Sequence, residues 1–147
     1  MSTDLALLLE DGFIELEEKN TEGAERWFRE ARALEPGSVE AVAGFVLMHL
    51  DRDAPRDALA ALDLAGLEPQ YPDLGRLRAE ALRALDDELA AQELEAALGE
   101  PASAVGRFVA GLVAMRRGRA GDEAGHLQAL DLFSHAALAA PERISLY

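Results

Sequence analysis

Apolar residues recur every three or four positions along most of the chain, which is the period of an amphipathic helix. The first such stripe consists of Leu5, Leu8, Leu9, Phe13 and Leu16. Later stripes are separated by short breaks that carry Gly, Pro, Asn or Asp. Alanine and leucine, both strong helix formers, dominate the stripes, and strand signals are nearly absent. The pattern therefore predicts an all-α chain of about eight helices.

Several breaks have a defined chemistry. Thr21 and Ser38 stand where N-caps are expected, and Gly66 stands where the fourth helix is expected to close. Only Asp86-Asp87 separates the fifth helix from the sixth, so one long helix is the alternative there. We predict an eighth helix at about 122–139.

The short connections predict that consecutive helices pack antiparallel, as hairpins. The chain has 147 residues, an ordinary size for one domain. We predict a single helical domain over 1–147, with hairpins at approximately 2–36, 38–69, 73–99 and 102–140.

An internal repeat supports this division. Two sets of residues have identical spacing: Ala24, Phe28, Ala31 and Pro36, and then Ala129, Phe133, Ala136 and Pro141. Gly12 and Gly111 each lie on the helix before their set. Two helices approach closely only where a side chain is small, and we expect the aromatic ring to fill the gap to the next hairpin.

This pattern resembles the tetratricopeptide (TPR) repeat, whose first helix has a small residue in its middle. The second helix of that repeat carries Ala, an aromatic residue and Ala, with Pro after it. The resemblance is best over residues 5–70, and the third hairpin departs from it, with Glu80 and Gln92 at small-residue positions. It implies antiparallel helix hairpins stacked as a short right-handed superhelix. The alternative is a plain helical bundle with Ala-rich faces.

The resemblance also implies that the first helix of each hairpin lines a concave groove. In this register the groove residues are Leu9, Phe13, Leu16, Leu47, Leu50, Leu74, Leu77, Leu85, Phe108, Leu112 and Met115. So apolar a groove favours an amphipathic helix or apolar segment of a protein partner. The alternative is that these side chains form the core of a small chain.

Charge adds to the description of the partner. The chain has 28 acidic against 14 basic residues, a net charge of −14. This balance favours a basic partner and argues against nucleic acid, which needs a positive surface. We interpret the cluster Arg116, Arg117 and Arg119 as a helix C-terminus, where cations suit the helix dipole.

Candidate catalytic chemistry is sparse. The chain has no cysteine, which excludes disulfides and thiolate ligands. Asp122 with His126 and Asp131 with His135 are pairs at i, i+4 spacing, but no further ligands follow at metal-site spacing. Phosphate-binding and nucleophile motifs do not occur. We predict no enzyme activity, no metal and no cofactor.

Targeting signals are also missing. The run Leu5–Leu9 lacks a basic flank and a cleavage site, so we expect no signal peptide and a cytoplasmic location. No apolar run approaches the ~20 residues of a membrane span, so we expect no membrane insertion. Thirteen arginines against one lysine suggest a GC-rich bacterial gene.

Two functions follow as hypotheses. Size and an apolar groove are similar to those of the small TPR chaperones and adaptors of bacterial secretion systems, including type III secretion. That likeness implies a non-catalytic protein-binding module. The alternative is a self-associating scaffold subunit, since Leu7 and Ile14 lie off the main stripe and the segment 144–147 is apolar. Either feature is a candidate homodimer contact, and the alternative is that it folds back as a cap.

Overall fold

The chain is all-helical throughout the part that a computed structural model describes, which is residues 2–119, with side-chain burial for 5–117. A 3-10 turn at Pro72–Leu74 precedes the fifth helix. The described residues form seven α-helices, which are α1 Ser2–Glu17, α2 Thr21–Leu34, α3 Val39–Asp51, α4 Pro55–Ala65, α5 Gly75–Ala84, α6 Glu88–Leu98 and α7 Ala104–Arg119. The predicted all-α class is confirmed. The predicted eighth helix and the second repeat set, 129–141, lie outside the described residues.

Side-chain and glycine caps set most of the breaks. The Ser38 hydroxyl accepts a hydrogen bond from the Ala41 amide at 3.1 Å, as the sequence predicts. The cap of α2 is Asn20, not Thr21: the Asn20 side chain accepts from the Gly23 amide at 3.2 Å. This correction has a local reason, because Thr21 already has helical geometry and Asn20 is the residue just outside.

Helices α5 and α6 are separate. Asp86 has a φ of 65°, in the left-handed region that interrupts a right-handed helix. Asp87 then caps the new helix, since its carboxylate accepts from the Ala90 amide at 3.3 Å. The alternative of one continuous helix is therefore wrong.

The helices pack as a stack of hairpins. α1 packs on α2, α3 on α4 and α5 on α6, while α2 also contacts α3 and α4 contacts α5. The first helices of successive hairpins contact each other too, α1 with α3 and α3 with α5. α3 lies at the centre, and every residue from 39 to 50 is buried.

One aromatic ring fixes the contact between the first two hairpins. Phe28 of α2 lies between Gly12 of α1 and Gly44 of α3. A Cβ atom on Gly12 would stand only 2.8 Å from the ring, and one on Gly44 would stand closer still. The ring also meets Phe13 edge-on, with centroids 4.9 Å apart. The expected packing of the aromatic residue into the gap between hairpins is thus observed at Phe28.

Candidate partner-binding face

The apolar stripes of α1, α3 and α5 meet on one side of the stack, which we call the inner face. Its core residues include Leu16 of α1, Leu47 of α3 and Leu77 of α5, all fully buried. Helix α7 packs against α3 and α5 and against the 3-10 turn at 72–74. The inner face is therefore covered by a helix of the same chain.

Ten of the eleven residues predicted to line a groove are found in the core. These ten are buried, and the eleventh, Leu85, is half-buried just after α5. In this conformation they do not line an open groove. The physical reason is that the apolar stripes of α1, α3, α5 and α7 pack against one another and exclude water. Their role in binding a partner stays a prediction.

Helix α7 reaches as far as α1. The Phe108 ring of α7 meets the Phe13 ring of α1 edge-on, with centroids 6.0 Å apart and an interplanar angle of 88°. Packed neighbouring helices lie about 8–10 Å apart, so an open stack would separate the first and fourth inner helices by several such steps. Contact between them means that α7 folds back over the inner face.

The apolar stripe of α7 has the spacing of a docked helix. Phe108, Leu112 and Met115 stand at positions i, i+4 and i+7, and all three are buried. Amphipathic helices that bind in grooves use this spacing for their anchor residues. α7 therefore occupies the inner face in the way a bound helix would.

Polar groups hold the start of α7. Ser103 accepts a hydrogen bond from the Gly106 amide at 2.9 Å, an N-cap arrangement. The Asp73 carboxylate lies beside Gly106 and accepts from Arg76 Nε at 2.8 Å. Arg76 also donates to the carbonyl of Gly99 at 2.8 Å. A carboxylate near a helix N-terminus is favoured by the helix dipole, so this end of α7 is well anchored.

A buried carboxylate holds the other end of α7. The Glu80 side chain of α5 is only 4 % exposed. Its Oε1 accepts from Arg116 at 3.1 Å, and its Oε2 accepts from Arg117 at 2.8 Å. Arg116 also lies 3.8 Å from a carboxylate oxygen of Asp51 on α3. We call Glu80 and Asp51 the acidic socket.

The arginine cluster, which we interpret from the sequence as a helix C-terminus, also pairs with the acidic socket. Arg116 and Arg117 lie near the end of the described part of α7, and both are ion-paired across the fold to Glu80. The side chain of Arg119 lies outside the described residues. One sequence signal points to the socket, since Glu80 is a charged residue where the repeat expects a small one. Only the fold shows which cations it meets, because they lie more than thirty positions away.

Arg83 connects the socket to α6. It donates to Glu80 at 3.2 Å, to Glu88 at 2.9 Å and to Glu95 at 2.8 Å. These hydrogen bonds lower the pKa of Glu95 and of Glu88 below their ordinary value of 4.5. Part of the acidic stretch at 86–100 is thus paired and not simply solvated.

A second cluster lies between α2 and α3. The Arg29 and Arg32 guanidinium groups stand 5.3 and 4.7 Å above the Phe45 ring, which His49 meets edge-on. Burial lowers the pKa of His49, and so favours its neutral form. Burial, followed by the neighbouring charge of Arg29, also lowers the pKa of Arg32. We assign this cluster to packing.

The described part of the chain contains no group of three or more metal-ligating side chains. The histidine pairs at 126 and 135 lie outside it. No helix within residues 2–119 is both long and apolar enough to span a bilayer.

Two large apolar side chains on α1 face solvent. Leu7 is 52 % exposed and Ile14 is 45 % exposed, and they stand two turns apart on one side of the helix. This agrees with their position off the main stripe. The apolar segment at 144–147 lies outside the described residues.

Comparison with known proteins finds no match for this chain among family models, curated proteins or solved structures. The tetratricopeptide resemblance therefore depends on the repeat residues alone and stays a prediction.

Proposed function

We propose that this protein is a non-catalytic protein-binding module whose inner face receives an amphipathic helix of a partner protein. The observation that carries the proposal is the seat of α7 across α1, α3 and α5. It supports the proposal because a helix with anchors at i, i+4 and i+7 already packs there. A partner helix with the same spacing replaces α7 on this face.

A partner helix has to compete with α7 for the inner face. α7 is tethered through the short connection at 99–103, so its effective concentration at the inner face is on the order of mM. A partner helix must therefore bind tightly, or α7 must be loosened first. A closed resting state protects the apolar inner face from aggregation until a partner arrives.

The resemblance supports a narrower role. Small TPR chaperones and adaptors hold an apolar or amphipathic segment of a client protein, and a covered apolar face suits that task. We therefore propose a cytoplasmic chaperone or adaptor, related to bacterial secretion, as the role of the module.

The test uses the full chain with Arg116→Glu and Arg117→Glu, which sets two carboxylates against Glu80 and loosens α7. The matched control reverses Arg26 and Arg56, which are exposed on α2 and α4. The probe is a fluorescent peptide of residues 102–119 with its natural arginines, and anisotropy measures its binding. We expect saturable one-to-one binding to the loosened chain and at least tenfold weaker binding to the control.

A probe peptide with Leu112→Asp checks the anchors. It loses the central apolar contact, so we expect no saturable binding to the loosened chain. Circular dichroism and cooperative unfolding establish that each chain is folded. Failure of the natural peptide to bind a folded, loosened chain would overturn the proposed function.

A second function, a self-associating scaffold subunit, is favoured by the exposed pair Leu7 and Ile14. A second copy of α1 would cover these side chains in a symmetric contact. Sedimentation equilibrium tests this against Leu7→Glu with Ile14→Glu. A concentration-dependent dimer that the two substitutions abolish would support the scaffold, and a monomer at all concentrations would reject it.

A further inference from the structure

We infer that Glu80 makes the inner face selective for a helix that carries two adjacent arginines directly after its apolar stripe. The inference rests on the proposed function, and it defines the chemistry of the partner. In α7 the apolar anchors stand at 108, 112 and 115, and the arginine pair follows at 116 and 117. The partner helix has this order, with anchors at i, i+4 and i+7 and arginines at i+8 and i+9.

The Glu80 carboxylate is buried beneath α7. A carboxylate that is 4 % exposed has lost most of its water, and it needs charged hydrogen-bond donors in return. α7 supplies two, one to each carboxylate oxygen. A bound helix without cations at these places would leave Glu80 covered and poorly paired, which is a large penalty on binding.

The hydrogen bond from Arg83 does not by itself supply the charged donors that the buried Glu80 carboxylate needs. Arg83 is shared among Glu80, Glu88 and Glu95, and it makes its shorter contacts to the two residues of the sixth helix. Until the arginine pair of α7 arrives, the three carboxylates Glu80, Glu88 and Glu95 share this one arginine. An inner face without α7 is therefore strongly negative at this end and attracts a basic helix.

The geometry favours arginine over lysine. Arg116 reaches Glu80 with Nη1 while its Nε lies 3.8 Å from Asp51, so one guanidinium faces carboxylates on two helices. The forked guanidinium presents several donors in a plane, whereas an ammonium group presents a single compact charge. A helix with two lysines should therefore bind between the arginine helix and a neutral helix.

The experiment compares three peptides of residues 102–119 on the loosened full chain defined above. One keeps Arg116 and Arg117, one has Lys at both positions, and one has Gln at both. We expect the arginine peptide to bind about tenfold more tightly than the glutamine peptide. The glutamine peptide keeps the apolar anchors, so it reports on the face without the cations.

The chain variants locate the selectivity. Glu80→Gln in the loosened chain should reduce the preference for arginine to less than threefold, because the neutral amide no longer demands a cation. The matched control is Glu93→Gln, the same change at an exposed position on α6, where the tenfold preference should remain. Added salt gives a readout that needs no change at Glu80: NaCl should weaken the arginine peptide more than the glutamine peptide.

The outcomes separate the two proposals. Equal binding of the arginine and glutamine peptides to the loosened chain would overturn the selectivity and leave the proposed function standing. A preference for the arginine peptide that persists in Glu80→Gln would also overturn the selectivity, because the arginines would then pair with groups other than Glu80. No binding of any peptide to a folded chain would overturn the proposed function itself.

Discussion

The packing of helices α1, α2 and α3 differs from the packing of helices α5, α6 and α7 in the interactions that dominate it. Between α1, α2 and α3 the central contact is apolar and close, with the Phe28 ring fitted between two glycines. Charged groups add to it through Arg29 and Arg32 over the Phe45 ring and through an ion pair of Arg52 with Glu25. Between α5, α6 and α7 the contacts combine apolar anchors with arginine–carboxylate pairs around Glu80 and Arg83. A contact of the second kind can be made by a separate helix that brings the same apolar anchors and cations, so the proposed exchange with a partner helix is expected at α7.

Removal of the Phe28 ring should have the largest effect. Phe28→Ala leaves a cavity between Gly12 and Gly44, and we expect the free energy of unfolding to fall by about 3–5 kcal/mol. Urea denaturation followed by circular dichroism measures it. Trp27→Ala, a half-buried aromatic next in sequence, is the control and should cost clearly less. A cost below 1 kcal/mol for Phe28→Ala would contradict the packing described for α1, α2 and α3.

A methyl group on Gly44 should break the same contact from the other side. Gly44→Ala drives a Cβ atom into the Phe28 ring, and we expect a loss of about 1–3 kcal/mol in the free energy of unfolding. The double variant with Phe28→Leu should lose less than the sum of the single variants, because the smaller side chain leaves room. Strict additivity would show that the two positions are not in contact.

Neutralising Glu80 should affect α7 more than the rest of the molecule. Glu80→Gln removes the charge that pairs with Arg116 and Arg117, and we expect local opening of α7 to become easier by about 1–3 kcal/mol. Hydrogen exchange of the amides at 104–117 measures this opening, with the α3 amides as the internal reference. Equal acceleration in both helices would mean that Glu80 supports the whole fold and not the seat of α7.

Loss of the Arg83 pairs in acid should produce the smallest of these effects. Arg83 lowers the pKa of Glu88 and Glu95, so these pairs contribute stability that is present above the ordinary value of 4.5. That contribution is lost as the pH falls through the lowered pKa values of the folded state. We therefore expect Arg83→Met to reduce stability at pH 6 and to matter progressively less below pH 4.

The difference between the unfolding free energies of the natural chain and Arg83→Met, measured in urea from pH 6 to pH 3, isolates this effect. Other titrating groups, such as His49 and Glu25, are common to both chains and cancel in the difference. A difference that stays constant over this range would show that Arg83 acts through packing of its stem.

Local features of the fold were predictable from the sequence by itself. Hydrophobic periodicity determined the all-helical class, and cap chemistry determined breaks such as those at Ser38 and Gly66. The fit of Phe28 against Gly12 followed from residue size at repeat spacing. These features depend on residues that are close to one another in sequence, so their spacing can be seen without the structure.

The position of α7 was decided only by the tertiary structure. Periodicity shows that Phe108, Leu112 and Met115 share one face of a helix, but it does not show whether that face is open or covered. The answer depends on how α7 packs against helices that are distant from it in sequence. The pairing of Glu80 with Arg116 and Arg117 depends on the same packing, because it joins residues more than thirty positions apart. The sequence therefore determined the helices and their apolar faces, and the packing decided that α7 covers the inner face.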